Sequence, residues 1–320
     1  MKLGVLIEAE AGLTWERWRR IVSRVESLGF ESLWLSDHLL SLSVRAPEAL
    51  EPWVALTVAA AETTRLRLGP LVSPMTLRHP AVLARMAVAL DNLSRGRLVL
   101  GVGAGWNELE HHAYGIPFPP ARERLDLLEE GIEVILRLQE DGPTRFDGRH
   151  YQLDGADLQP KPTQRPHIPL LIGGMGELRT LPMVARYADE WNLTTADPAL
   201  YLAKSAQLAR CCEAIGRDPA TIARSVAVGL LVGRDAAELE RRAETLRRCM
   251  PRLADVAPAA VPAAMRAVGW VVGTPGEIMA SLGALAAAGI ERAMLQITDQ
   301  TDLAALELVA REVMPAVAGD

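Results

Sequence analysis

Short apolar or β-branched runs alternate with longer segments whose apolar residues recur at helical spacing, and this repeated alternation restricts the fold more than any single motif does. Lys2 to Glu8 reads as a strand. Thr14 then stands at a helix N-cap, Trp15, Trp18, Ile21, Val22, Val25 and Leu28 follow at helical spacing, and Gly29 ends the segment. Further strands are expected at Glu31 to His38, Arg65 to Pro74, Arg97 to Val102, Leu170 to Ile172, Glu190 to Thr194, Val226 to Val232 and Arg292 to Thr298. Helices are expected over Pro52 to Thr63, over Pro80 to Ser94 with a proline at the first helical position, and from Pro120 to about Glu140. Others follow over Glu177 to Ala188, over Pro198 to Ile215, and in two or three pieces from Asp235 to Ala288, with a fresh start at Gly273-Thr274-Pro275-Gly276-Glu277 and a closing helix after the last strand. A long loop between the second strand and the second helix has room to carry function.

Strands that are each followed by a helix, over a chain of 320 residues, predict an α/β fold of the (β/α)8 TIM-barrel type. The competitor is a doubly wound open sheet, supported by Gly101-Val102-Gly103-Ala104-Gly105 after a strand. Its G-x-G-x-x-G spacing fails at Trp106, however, and the motif falls at the fourth strand rather than opening a nucleotide-binding half. Between about Asp141 and Pro169 the rhythm stops. Proline, glycine and short aromatic pieces such as Arg149-His150-Tyr151 predict a β-hairpin followed by an extended segment, an excursion within a single domain spanning 1–320.

Composition narrows the partners. A hydrophobic content of 49% can fill a large core, and a net charge of −6 without a long run of one sign argues against nucleic acid. The apolar runs are broken well before the roughly 18 residues a membrane span needs, and the N-terminus enters strand-like sequence without a signal-type segment, so a soluble, cytoplasmic protein is expected. Cys211, Cys212 and Cys249 sit in helix-like sequence and read as reduced thiols.

In such a barrel chemistry gathers at the C-terminal ends of the strands. Those ends carry Glu8, Asp37, His38, Ser73, Pro74, Gly103 to Asn107, Gly173 to Gly176, Asn192 to Thr194 and Gln296 to Thr298. The set is rich in glycine, amide and hydroxyl groups and poor in His and carboxylate, which argues against a metal site. Glu108-Leu109-Glu110-His111-His112 offers a single E-x-x-H and reads as a solvated helix face. No G-x-S-x-G occurs, so nucleophilic catalysis has no support. Gly173-Gly174-Met175-Gly176, between strand and helix, suits close approach of backbone N–H groups to a phosphate, with a tight turn as the plain alternative. Ser73-Pro74 reads either as an ordinary strand terminator or as a bulge or cis proline that could press on a planar cofactor.

Several stretches occur in order along nearly the whole chain: Leu28-Gly29-Phe30-Glu31-Ser32-Leu33-Trp34-Leu35-Ser36-Asp37-His38, Arg78-His79-Pro80, Leu93-Ser94-Arg95-Gly96-Arg97-Leu98 through Gly105-Trp106-Asn107, Tyr114-Gly115-Ile116-Pro117, Pro160-Lys161-Pro162, Ile172-Gly173-Gly174, and Ala188-Asp189-Glu190-Trp191-Asn192. Together they resemble the bacterial luciferase-like family, most closely its branch that uses the deazaflavin coenzyme F420. The resemblance implies a barrel with an insertion between strands 4 and 5, a homodimer, and hydride transfer between coenzyme F420 and a small organic substrate. The alternatives are an FMN-dependent monooxygenase using O2 and a non-catalytic flavin-binding relative. By the same resemblance His38 lies near the reacting ring as proton donor or hydrogen-bonding partner, with Asp37 beside the cofactor. Ser73, Pro74, Gly103 and Asn107 would join the cofactor site, and Gly173, Gly174, Met175 and Gly176 would take its phosphate. Sugar dehydrogenases of this branch carry a glutamate just after the fourth-strand glycines, a place held here by Trp106, which would instead form an apolar wall of the substrate pocket. Glu108 then stands as the best remaining acid, with Glu110 close behind.

Overall fold

The computed structural model describes residues 1–41 and 48–317. The chain opens with β1 (Lys2–Ile7), α1 (Trp15–Leu28), β2 (Ser32–Leu35), α2 (Pro52–Glu62), β3 (Arg67–Pro70), β4 (Ser73–Pro74), α3 (Pro80–Ser94) and β5 (Leu100–Gly103). Then come α4 (Glu108–Ala113), α5 (Ala121–Gln139), the hairpin β6 (Thr144–Asp147) and β7 (Gln152–Ala156), β8 (Leu170–Gly173), α6 (Thr180–Tyr187), β9 (Glu190–Leu193), α7 (Pro198–Ala214) and β10 (Ala223–Val232). The last part holds α8 (Ala236–Cys249), α9 (Val261–Ala267), β11 (Val271–Gly273), α10 (Pro275–Ala287), β12 (Arg292–Gln296), α11 (Leu303–Leu308) and α12 (Met314–Val317).

Local chemistry sets the boundaries. Thr14 accepts a hydrogen bond from the Arg17 N–H at the start of α1, and Gly29 ends it at φ 90°, a left-handed conformation that glycine adopts without a Cβ clash. Thr274 and Glu277 form a reciprocal capping box at the start of α10.

The parallel strands run in the order β3–β2–β1–β12–β10–β9–β8–β5–β4. The ring closes because β3 also meets the run before β5: Leu68 N–H donates to Arg97 O at 3.0 Å and Val99 N–H to Leu68 O at 2.8 Å. With β3 and β4 counted as one crossing, this is the (β/α)8 barrel expected from the alternation. Its interior is filled by Leu6, Trp34, Val99, Leu171, Ala227 and Met294, while a larger cluster lies between strands and helices. Trp34 occupies that interior because its neighbours give way. A Cβ on Gly69 would lie 2.7 Å from Trp34 Cζ3, and one on Gly4 would lie 2.3 Å from Ser32 Oγ, which accepts from Trp34 Nε1.

Three details differ from the reading of the sequence. The third strand is interrupted at Leu71-Val72, where the structure places a cis peptide bond; the cis form considered for Ser73-Pro74 is not found there. β10 begins at Ala223, and β11, which ends on the Gly273 that opens the helix-start motif, adds to its end in parallel. α6 begins only at Thr180. Between α5 and β8 the Pro/Gly-rich stretch carries the antiparallel hairpin β6–β7. Of the loop between β2 and α2, residues 42–47 lie outside the described residues. Among the described residues no helix is long and apolar enough to cross a membrane.

Candidate active site

A cavity of about 570 Å³ opens at the C-terminal ends of the barrel strands. Leu6, Leu71, Val72 and Ala227 give it apolar surface, Asn192, Thr194 and Gln296 give it amide and hydroxyl groups, and Trp106 and Trp270 stand on its wall. This size and mixture suit a planar heteroaromatic ring with a small second molecule. The glycines help shape it. A Cβ on Gly103 would come within 2.7 Å of Val72 Cγ2, and one on Gly229 within 2.0 Å of the Trp270 indole, so both residues let a neighbour lie directly on the strand backbone.

His38 follows the end of β2 and lines this cavity. Its Nδ1 lies 3.0 and 3.1 Å from the two carboxylate oxygens of Glu110, whose Oε2 also accepts from the Leu39 N–H at 2.9 Å. The Glu110 side chain is fully buried. The His38 and Trp106 rings meet in a T-shaped arrangement at a centroid distance of 5.5 Å. Burial works against the imidazolium, but the hydrogen bond to Glu110 and the charges of Glu10, Glu110 and Asp37 outweigh it, and His38 titrates above its ordinary range. Burial likewise penalises the Glu110 carboxylate, yet the bond to His38 holds that group below the usual carboxylate range. Glu10, buried and bonded to Ser36 Oγ, is pushed up by desolvation.

The adjacent Asp37 does something else. It is fully buried away from the cavity, where its Oδ2 accepts from Ser73 Oγ at 2.5 Å, Arg78 Nη1 at 2.6 Å and Trp53 Nε1 at 3.2 Å. Asp37 and Ser73 therefore anchor α2 and the Arg78 loop beneath the site, whereas Pro74 and Gly103 reach the cavity wall. The two residues lie just past the end of β2, one side chain packed beneath the site and the other facing the cavity.

Gly173 and Gly174 line the cavity; Met175 and Gly176 lie just beyond it. Gly174 takes φ 121°, and its N–H is committed to Asn192 O at 3.0 Å. Asn107 is buried as the N-cap of α4, its Oδ1 accepting from Glu110 N at 3.4 Å. Glu108 is exposed and sits 3.8 Å from His112. His111 is buried instead, its Nδ1 donating to Asn107 O and its Nε2 bonded to Thr76 Oγ1. The carboxylate that meets His38 is thus Glu110 and not Glu108.

Sequence reasoning also missed Glu10, Trp270 and Arg252, which lies on the cavity wall in the segment after α8. Only Gly229, a glycine within a strand, hinted at a ring packed on the sheet. A smaller cavity of about 340 Å³ lies between α8 and the ends of β10 and β12. Its charged groups are already satisfied: Arg242 bonds Asp302 at 2.5 Å and lies 3.2 Å from Glu238. The strand-end cavity, with its polarised imidazole, is the better candidate for chemistry.

Comparison with known proteins gives consistent relatives. The family model described as luciferase-like monooxygenase matches residues 1–292. An F420-dependent glucose-6-phosphate dehydrogenase of Kineococcus radiotolerans is 30% identical over 317 residues, covering 91% of this chain and 90% of that protein. An F420-dependent hydroxymycolic acid dehydrogenase of Mycobacterium tuberculosis is 29% identical over 325 residues, covering 98% and 87%. Among solved structures, an F420-dependent secondary alcohol dehydrogenase in complex with an F420-acetone adduct superposes with a TM-score of 0.84 at 22% identity, over 99% of both chains, a likeness of fold.

Proposed function

Since this chain belongs to the luciferase-like monooxygenase family, we infer from that membership and from the strand-end cavity that it is an oxidoreductase transferring a hydride between coenzyme F420 and a small organic substrate. The observation that carries the reading is His38, held on the wall of an apolar and amide-lined cavity large enough for a tricyclic ring. When bound there, the deazaflavin supplies the two-electron hydride chemistry.

The chain's own residues do the rest. Leu6, Leu71, Val72 and Ala227 offer apolar surface against a ring, and Asn192 and Gln296 offer amides to its polar edge. Gly173 and Gly174 bring the chain close to the cofactor, and the amides of Met175 and Gly176, ahead of α6, are the donors we assign to its phosphate. Trp106 closes the substrate side, and His38 presents Nε2 as hydrogen-bond or proton donor. Glu108, exposed and paired with His112, is left without a part in the chemistry.

We further propose a single-domain, cytoplasmic homodimer. α2 and α3 lie next to each other and turn Val54, Val82 and Leu93 to solvent, an apolar face suited to a second copy. Sedimentation at the mass of one chain would remove the dimer.

The function is tested by single-turnover spectroscopy, following the visible absorbance of the bound deazaflavin with alcohols, aldehydes and electrophilic alkenes offered in turn. Redox conversion of at least one class is expected. Cofactor binding with no conversion of any substrate would instead favour a carrier protein.

A further inference from the structure

We infer that Glu110 is a positioning residue that fixes the orientation and tautomer of His38, tying down Nδ1 so that Nε2 is the nitrogen presented to the cavity. Its functional consequence rests on the hydride-transfer reading, whereas its geometry does not.

The assignment follows from what each atom can do. A carboxylate accepts and cannot donate, so Nδ1, at 3.0 and 3.1 Å from the Glu110 oxygens, carries a proton in both the neutral and the cationic ring. Nε2 is then the nitrogen that gains or loses a proton, and it makes no hydrogen bond among the described residues. Glu110 itself has little freedom. Its Oε2 also receives the Leu39 N–H at 2.9 Å, so one carboxylate grips both the ring and the backbone immediately after it.

α4, which carries Glu110, is pinned on three sides. Asn107 caps its start, His111 bonds Thr76 Oγ1 at 2.8 Å on the β4 side, and Tyr114 Oη donates to Leu39 O at 3.1 Å on the β2 side. The helix therefore acts as a brace across two strand ends, with its one fully buried acid aimed at the histidine.

The charged surroundings of His38 favour the same state. From the β1 side comes Glu10, from the end of β2 its neighbour Asp37, itself paired with Arg78, and from α4 Glu110. Glu8 lines the same cavity, as does the cation Arg252 in the segment after α8, and Trp106 contributes a T-shaped ring contact rather than a charge. Facing mostly acids, the ring keeps its second proton at a pH where an ordinary exposed histidine has lost it, and sheds it as pH rises further. A donor held in this way suits delivery of a proton from Nε2.

Two-bond 1H–15N correlation spectra of the cofactor-free protein test this directly, with His38→Gln used to assign the signal among the chain's 6 histidines. The wild-type His38 is expected to titrate above the ordinary range of an imidazole and to show the Nδ1–H tautomer once neutral. Glu110→Gln should lower the His38 midpoint by about one pH unit or more. An unmoved midpoint in that variant would overturn the assignment. So would an Nε2–H tautomer in the wild-type protein, a result that does not depend on the Glu110→Gln variant folding. F420 titration is read separately, so failure of cofactor binding counts against the function and an unmoved His38 counts against Glu110.

Discussion

At the scale of single residues, the site is organised by where neighbouring side chains point. Asp37 and His38 are adjacent, yet one is sealed among Ser73, Arg78 and Trp53 while the other looks into the cavity. The Asp-His pair and its place at a strand end were legible from the sequence, because an apolar strand ending in polar residues has few other readings. The division of labour between the two was not, since both lie past the end of β2, where the facing of each side chain is set by distant partners such as Ser73, Arg78 and Trp53. Glu108 and Glu110 show the same limit. They sit two residues apart on a helix, about 200° around its axis, so only one can face His38, and the sequence carries no mark of which. Replacing His38 by Ala should slow hydride transfer about 10²–10⁴-fold in single-turnover measurements, with F420 affinity little changed. An unaltered rate would take His38 out of the chemistry.

At the scale of elements, hydrophobic periodicity located nearly every strand and helix, and caps such as Thr14 and Thr274 fixed their starts. What escaped were features without periodicity of their own. β11 has three residues and exists because β10 offers a free edge beyond the barrel rim. The segment from α8 to β11 forms its own small core around Leu231, Leu246, Leu253 and Met265, and this sets Trp270 across Gly229 at the cavity. A methyl group at Gly229 has no room, because its Cβ would fall 2.0 Å from the indole. Gly229→Ala should therefore push Trp270 off the strand, costing about 1–3 kcal/mol in denaturant unfolding and shifting the tryptophan emission. Unchanged emission and stability would mean that the ring does not rest on this strand.

At the scale of the whole molecule, the barrel is laced at the end opposite the cavity by Arg292 at the start of β12. Its guanidinium bonds Glu31, just before β2, at 2.8 and 2.9 Å, and also meets Glu190 at the start of β9. Glu31 is desolvated, but Arg292 holds its carboxyl below the ordinary value of 4.5. A carboxylate depressed in the folded state stabilises fully above its unfolded pKa, and that contribution drains away as pH falls through the folded value. Thermal unfolding should therefore show a loss of stability below about pH 4.5 that Glu31→Gln partly flattens, at the cost of lower stability near neutrality. Parallel acid profiles for the two proteins would argue against a stabilising role for this pair.

The cavity at the other end decides the reaction class, because a deazaflavin carries hydride whereas FMN in a comparable pocket reacts with O2. Parallel fluorescence titrations of the purified protein with coenzyme F420 and with FMN address that choice most directly. Saturable binding of F420 with weak or absent FMN binding is the expected result, and tight FMN binding without any response to F420 would contradict it.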